Sequence, residues 1–298
     1  MILLSQLLNG LQLGSIYALV ALGYSMVYGI IMLLNFAHGD VIMVGGYIAL
    51  LTMTSGAHPA LAVVLAILGC ALLSVTIEKV AYAPLRSAPR ISLLITAIGV
   101  SLFLQNLAQL IFGARGRSFP SASVIPAVSW MVGGVNISLT AIVTIFTMVI
   151  SMIVLTTMVQ KTKMGKAMRA VSEDTGAAQL MGIHVNSVIT FTFAVGATLA
   201  GIGSILYCCR YPMVTPMMGS MLGLKAFVAA VLGGIGSIPG AMLGGLAIGL
   251  SEVLVTALGG VLGLPLSSWT DAVVFGTLII VLLFRPTGFL GRTMTEKV

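Results

Sequence analysis

Residues 35–40 read N-F-A-H-G-D, between stretches 11–34 and 41–77 that contain no charged residue. His38 could serve a serine nucleophile. No G-x-S-G occurs in the chain, however, and no serine is an obvious partner. A metal site of the H-E-x-x-H kind is absent too. Enzyme chemistry therefore finds no second residue to work with. What remains open to Asn35, His38 and Asp40 is polar bonding at membrane depth. An aspartate at the bilayer centre costs about 2.5–3.5 kcal/mol. Asp40 can lower that cost by pairing with His38, or by accepting backbone N–H groups at the start of a helix over 41–54. The three residues lie too close together for one regular helix face, which predicts a break there. Irregular backbone survives at that depth only where protein buries it or water reaches it. Two readings stay open, a gate element beside a pathway and an interfacial turn capped by Asp40.

Lys225 and Glu252 are the other charges set deep in apolar sequence. Glu252 follows Gly244, Gly245 and Gly249 on its span and could line a path or pair with Lys225. The ion pair is the preferred reading, with contact to the ammonium of a passing solute as the sharper one. Asp271, near Trp269 at a span end, reads as an interface group. Glu78 and Lys79 are terminal and receive no role.

The elements that must position these residues are lipid-embedded helices. Of 298 residues, 59% are hydrophobic and 7% charged, against about 25% charged in a soluble domain. That composition argues against a water-soluble enzyme and against a nucleic-acid binder. A spanning helix needs about 20 mostly apolar residues. Apolar runs fall at about 5–30, 41–54, 60–78, 91–112, 138–159, 188–208, 219–232, 241–258 and 269–284. The runs 41–54 and 219–232 are too short to cross without tilt or bilayer thinning. The expectation is one all-α polytopic membrane domain over 1–298, with eight or nine transmembrane helices, some short or broken. Residues 35–50, a polar turn followed by a helix with Gly45 and Gly46, have an echo at 233–250. There the turn holds Gly234, Gly236, Ser237 and Pro239, and the helix holds Gly244 and Gly245. Paired broken segments of this kind suggest an inverted repeat and mark a transport pathway. Small-residue faces at Gly10, Gly14 and Ala18, and at Gly240, Gly244 and Ala247, could pack within the chain or against another subunit.

The net charge of +7 does not describe a binding patch. Basic residues gather at Lys79, Arg86 and Arg90, at Lys161, Lys163, Lys166 and Arg169, and at Arg285, Arg292 and Lys297. These sites can all be cytoplasmic under the positive-inside rule. The N-terminus is then outside if nine spans cross and inside if eight do. It has no basic leader region, so a cleaved signal peptide is not expected. Cys70, Cys208 and Cys209 have no metal-ligand spacing and read as small apolar packers.

Loop 160–187 is far longer than the usual 2–8 residues between bundled helices. Residues 166–181 can form a helix of about four turns, stopped at Gly182. Its small and flexible surface (Ala170, Ala177, Ala178, Met181) suits insertion into another protein's groove.

Here the chain resembles a known family. Gly165, Arg169, Ala170, Asp174, Ala178, Gly182 and Ile183, with Glu173 beside them, look like the cytoplasmic coupling motif of ABC-importer permeases. Lys225-Ala226-Phe227, the run A-A-V-L-G-G-I-G-S-I-P-G-A-M-L-G-G-L at 229–246, R-P-T-G at 285–288 and N-F-A-H-G-D resemble branched-chain amino acid permeases of the LivH type. The resemblance covers nearly the whole chain. It implies a bacterial inner-membrane permease with a cytoplasmic C-terminus. It also implies a second permease (identical or paralogous), two separate ABC ATPases on loop 160–187 and a periplasmic amino-acid-binding protein. Leucine-, isoleucine- or valine-type substrates are implied in the same way, while amides and urea stay open. The chain has no G-x-x-x-x-G-K-[ST] phosphate loop, so no cofactor is expected in it and ATP with magnesium belongs to the partners. The rival within transport is an ion-coupled secondary transporter using Asp40 and Glu252 as coupling sites.

Overall fold

The computed structural model describes residues 2–32, 34–86, 88–263 and 265–291. The tail bases Arg292 and Lys297 lie outside the described residues. In chain order the helices are α1 (Ile2–Ile31), α2 (His38–Thr54), α3 (Pro59–Ile77), α4 (Arg90–Phe112), α5 (Ser121–Val124) and α6 (Leu139–Lys161). They continue as α7 (Lys163–Glu173), α8 (Thr175–Leu180), α9 (Val185–Arg210), α10 (Met218–Gly233), α11 (Ile238–Leu262) and α12 (Thr270–Phe284). A π turn (Glu78–Tyr82) extends α3, and a 3₁₀ turn (Leu266–Trp269) leads into α12. Two antiparallel ladders complete the fold: β1 (Arg117–Ser118) with β4 (Met213–Val214), and β2 (Ser129–Val132) with β3 (Val135–Ser138).

Among the described residues, seven helical segments are long and apolar enough to cross a membrane. The fold is thus an all-α polytopic membrane protein. The runs 41–54 and 219–232 become α2 and α10, of 17 and 16 residues. Helix starts follow ordinary capping chemistry. His58 Nδ1 accepts from Ala60 N before α3. Ser138 Oγ accepts from Ala141 N before α6. Thr162 Oγ1 accepts from Gly165 N before α7, so each fills an orphan N–H.

The core forms around α1, which packs on α9, α10 and α11. The two small-residue faces meet each other. A methyl group on Gly249 would lie 2.1 Å from Gly14 N, and one on Gly245 would lie 2.4 Å from Ala18 N. Backbones this close leave no room for side chains, and the close approach supplies the dispersion contacts that replace a hydrophobic driving force in lipid. These faces therefore pack within the chain.

The C-terminal end of α1 meets the segment 162–184 between α6 and α9, so the N-terminal end of α1 lies on the opposite side. The 234–237 turn also packs against the second half of α1, where a Cβ on Gly29 would lie 2.9 Å from Gly236 Cα. Both helix breaks thus open toward the same side, and this pair of units runs parallel rather than inverted. Cys70 and Cys208 are buried and form no disulfide, and Cys70 Sγ lies 3.3 Å from the Val41 carbonyl of α2.

Candidate functional site

Chain reversal after α1 begins at Met32, whose φ of 54° is the one positive value at a non-glycine residue among the described ones. The backbone C=O of Asn35 accepts from His38 N at 3.1 Å, and that of Ala37 accepts from Asp40 N at 3.0 Å. Helix α2 therefore starts at His38, three residues earlier than the cap reading requires. Asp40 falls in the first turn and caps nothing. Its Oδ1 instead accepts from Gln105 Nε2 on α4 at 3.0 Å. Gln105 also donates to Ser101 Oγ at 3.1 Å. His38 forms no pair with Asp40. Its ring packs edge-on against Tyr24, with centroids 4.7 Å apart. The Asn35 side-chain oxygen accepts from Tyr82 OH at 2.8 Å. All three polar residues are buried. Each is held by a residue of a different element: Tyr24 of α1, Tyr82 of the π turn and Gln105 of α4. A buried polar group without a partner costs about 1–3 kcal/mol, so the hydrogen bonds to Asn35 and Asp40 help fix the shape of the break, while His38 Nε2 and Asp40 Oδ2 have no hydrogen-bond partner among the described residues.

The second break is built differently. Gly234 and Gly236 have φ of 101° and 86°, which only glycine adopts freely. Ser237 Oγ accepts from Gly240 N at 3.2 Å and Pro239 sits in the first turn of α11. Gly236 N donates to Ser25 Oγ on α1 at 3.1 Å. The R-P-T-G turn explains itself here. Beyond it, Phe289 N and Leu290 N each donate at 2.9 Å, to the carbonyls of Leu232 and Gly233 that α10 leaves open. Leu34 and Ile235 line one crevice with Tyr24, Tyr28 and Phe227, so the two breaks meet.

Gly45 and Gly46 face the packed core. A Cβ on Gly45 would lie 2.6 Å from Cys70 Sγ, and one on Gly46 would lie 3.3 Å from Cys208 Sγ. Their role is helix contact with α3 and α9. Gly244 does the same toward α10, with a Cβ position 2.0 Å from Ala229 O.

A cavity of about 1320 Å³ opens beneath the first break. Tyr28 and Leu34 lie along one wall, Glu78 and Arg86 along another, and Glu173, Asp174 and Gln179 along a third. Glu78, which received no role from sequence, is 1% exposed. It pairs with Arg86, and its Oε2 accepts from Thr190 Oγ1 of α9 at 2.8 Å. Arg86 also bonds Asn186 of α9. The π turn therefore joins two places: Glu78 ties it to the start of α9, and Tyr82 ties it to the first break. Extra-residue turns of this type recur at functional sites.

The segment between α6 and α9 forms two helices, not the continuous one expected over 166–181. Asp174 interrupts it, with φ −158° and ψ 113°. Its Oδ1 accepts from Gly176 N at 2.8 Å and from Ala177 N at 3.0 Å, which starts α8 afresh. Gly165 allows the sharp entry from α6, since a Cβ there would lie 2.3 Å from Met158 O. Arg169 Nη2 reaches Gln160 O at 3.4 Å. Ala170 is half-buried, Ala178 is buried and Glu173 is exposed. Gly182, with φ 80°, ends the unit. The most prominent residues of α8 are Leu180 and Met181, 91% and 82% exposed. Sequence reasoning noted Met181 and passed over Leu180. Two adjacent large apolar residues in a charged loop were the available signal.

Lys225 does bind Glu252, Nζ to Oε1 at 2.9 Å. It also binds Asp271 Oδ1 at 2.8 Å, which corrects the reading of Asp271 as a simple interface group. Tyr17 OH donates to Glu252 Oε2 at 2.8 Å.

The family described as "Branched-chain amino acid transport system / permease component" matches residues 6–283. The chain is 43% identical to the high-affinity branched-chain amino acid transport system permease protein BraD of Pseudomonas aeruginosa, over 99% of this chain and 98% of that one. It is also 43% identical to LivH of Escherichia coli (strain K12), described in the same words, over 99% of this chain and 97% of that one. A shorter match, 32% identical over 42% of this chain, is to the autoinducer 2 import system permease protein LsrC of Yersinia enterocolitica.

Proposed function

The chain belongs to the branched-chain amino acid transport permease family, and from that premise we propose that it is the membrane subunit of an ATP-driven importer for leucine-, isoleucine- and valine-type amino acids. The observation that carries the mechanism is a continuous run of short chain segments and the side-chain bonds between them. It starts at α8, passes through Gly182 to Asn186 and Thr190 on α9, crosses to Arg86 and Glu78, and ends at Tyr82 bonded to Asn35 in the first break. A push on α7–α8 reaches the break through this run, by way of one rigid π turn.

The partners follow from the same arrangement. Two separate ATPases, one per permease, seat Leu180 and Met181 of α8 in a groove and use Arg169 at its rim. ATP and magnesium are held by those subunits. A second permease, a copy or a paralogue, closes the path. A periplasmic binding protein delivers substrate to the face carrying the β2–β3 hairpin. On this reading the protein spans the bacterial inner membrane, with the α6–α9 segment and the end of α12 in the cytoplasm and the start of α1 outside. Gating falls to the first break, with Asn35, His38 and Asp40 shaping the backbone that moves rather than touching substrate.

The test is co-purification. Arg169→Glu and Leu180→Asp are expected to remove the ATPases from the purified protein while leaving it in the membrane with its second permease. ATPases retained in full by both variants would sink the docking role of α7–α8. Uptake that stops when the ATPases are deleted but survives an uncoupler is expected of the intact system.

A further inference from the structure

Lys225 lies midway along α10, a helix whose ends both pack inside the bundle, and it joins Glu252 of α11 to Asp271 of α12. One ammonium between two carboxylates leaves an excess negative charge. An ammonium has three N–H donors, and two of those on Lys225 are engaged. The Asp271 side chain is 45% exposed in the first turn of α12, toward the end of the apolar segment Leu266–Phe284. An ionised group there faces water or protein, because lipid cannot solvate it. This face is therefore wetted or closed over by protein, not by acyl chains. Met221 is exposed and precedes Lys225 by four residues, which places the two on one face of α10.

We propose that Lys225, Glu252 and Asp271, with Met221 beside Lys225, form a binding station for a zwitterionic α-amino acid crossing the membrane. The free N–H of Lys225 meets the substrate carboxylate. The excess carboxylate charge, presented by the exposed Asp271, meets the substrate ammonium. Tyr17 holds Glu252 in place from behind. Met221 offers an apolar surface that adapts to branched side chains of different shape. Two charged ends and one soft apolar wall match the common part of such substrates while staying loose about the rest. That looseness suits a subunit whose cargo has already been chosen by another protein. The inference rests on the amino-acid reading of the preceding section.

The experiment is uptake of radiolabelled leucine by the whole assembly in proteoliposomes, with saturating loaded binding protein. Asp271→Asn is expected to lower uptake about tenfold or more, the scale of losing one charge-assisted hydrogen bond. ATP hydrolysis stimulated by the binding protein, and recovery of the second permease, are expected to stay within about twofold of wild type. Asp271→Glu should restore most of the uptake. Lys225→Met should behave as Asp271→Asn does. Because it also unpairs two carboxylates, Asp271→Asn carries the decision should Lys225→Met fail to fold. Near-normal uptake by Asp271→Asn overturns the proposal. So does a loss that only tracks lost ATP hydrolysis or lost subunits, which would make the cluster a structural tie. A wild-type assembly that hydrolyses ATP but takes up no leucine overturns the amino-acid reading itself, and the station with it.

Discussion

The two helix breaks meet across one crevice, yet different forces hold them. The first is held by side chains. Asn35, His38 and Asp40 each lean on a residue from a separate element, and one of these residues, Tyr82, belongs to the π turn that also grips α9. The second is held by backbone. Gly234 approaches the turn after α12, and Gly240 approaches Gly233, too closely for any side chain to intervene, whereas in the first break only Gly39 is packed so tightly, against α10. Side-chain bonds can be exchanged as helices shift, whereas a backbone-packed turn has one arrangement. On the gating reading proposed above, motion falls to the first break and anchorage to the second.

Substitutions can break this contrast in a graded way. Gly234→Val forces a left-handed backbone on a β-branched residue and drives its Cβ to within 2.2 Å of Gly291 N. We expect a loss of about 3 kcal/mol or more, read as collapse of folded yield after detergent extraction. Asp40→Leu removes the acceptor of a buried amide, for an expected loss of about 1–3 kcal/mol in thermal unfolding. Asp40→Asn keeps an acceptor oxygen and should be milder, with transport impaired more than stability. Tyr82→Phe deletes one hydroxyl at the first break, at a cost of about 1 kcal/mol. A double-mutant cycle with Asn35→Ala should show that the two residues are coupled. Additivity in that cycle would remove Tyr82 from the route between α9 and the break. Leu180→Ser sits at the small end, with stability unchanged within about 0.5 kcal/mol and ATPase association reduced. A stability loss as large as that of Asp40→Leu would mean that Leu180 packs within the chain rather than against a partner.

Much of this was readable from the chain because it depends on neighbours in sequence. Apolar runs gave the spans, the 41–54 and 219–232 runs emerged as the short α2 and α10, and charge clustering marked the α6–α9 segment. The interruption at Asp174 was also within reach. Aspartate followed by Thr-Gly is a capping sequence, and the four-turn helix expected across it ignored that competing local bond. The partners of the polar residues were out of reach. Tyr82 finds Asn35 across 47 positions, Gln105 finds Asp40 across 65, and Tyr17 finds Glu252 across 235. Periodicity says which face of a helix is buried, not which helix will cover it. Glu78 failed for the same reason. A carboxylate at a span end looks solvated until α9 folds over it. The Lys225–Glu252 pair was legible because so few charges were available to satisfy each other inside the bilayer, and Asp271 was missed because it looked terminal.

The most direct measurement is leucine uptake into proteoliposomes holding the permeases, the ATPases and the loaded binding protein, with ATP supplied on the ATPase side and no ion gradient. We expect uptake that needs hydrolysable ATP, is indifferent to an uncoupler and is lost with Leu180→Asp. Uptake driven by an ion gradient without ATP, and unaffected by Leu180→Asp, would contradict an importer energised through α7–α8.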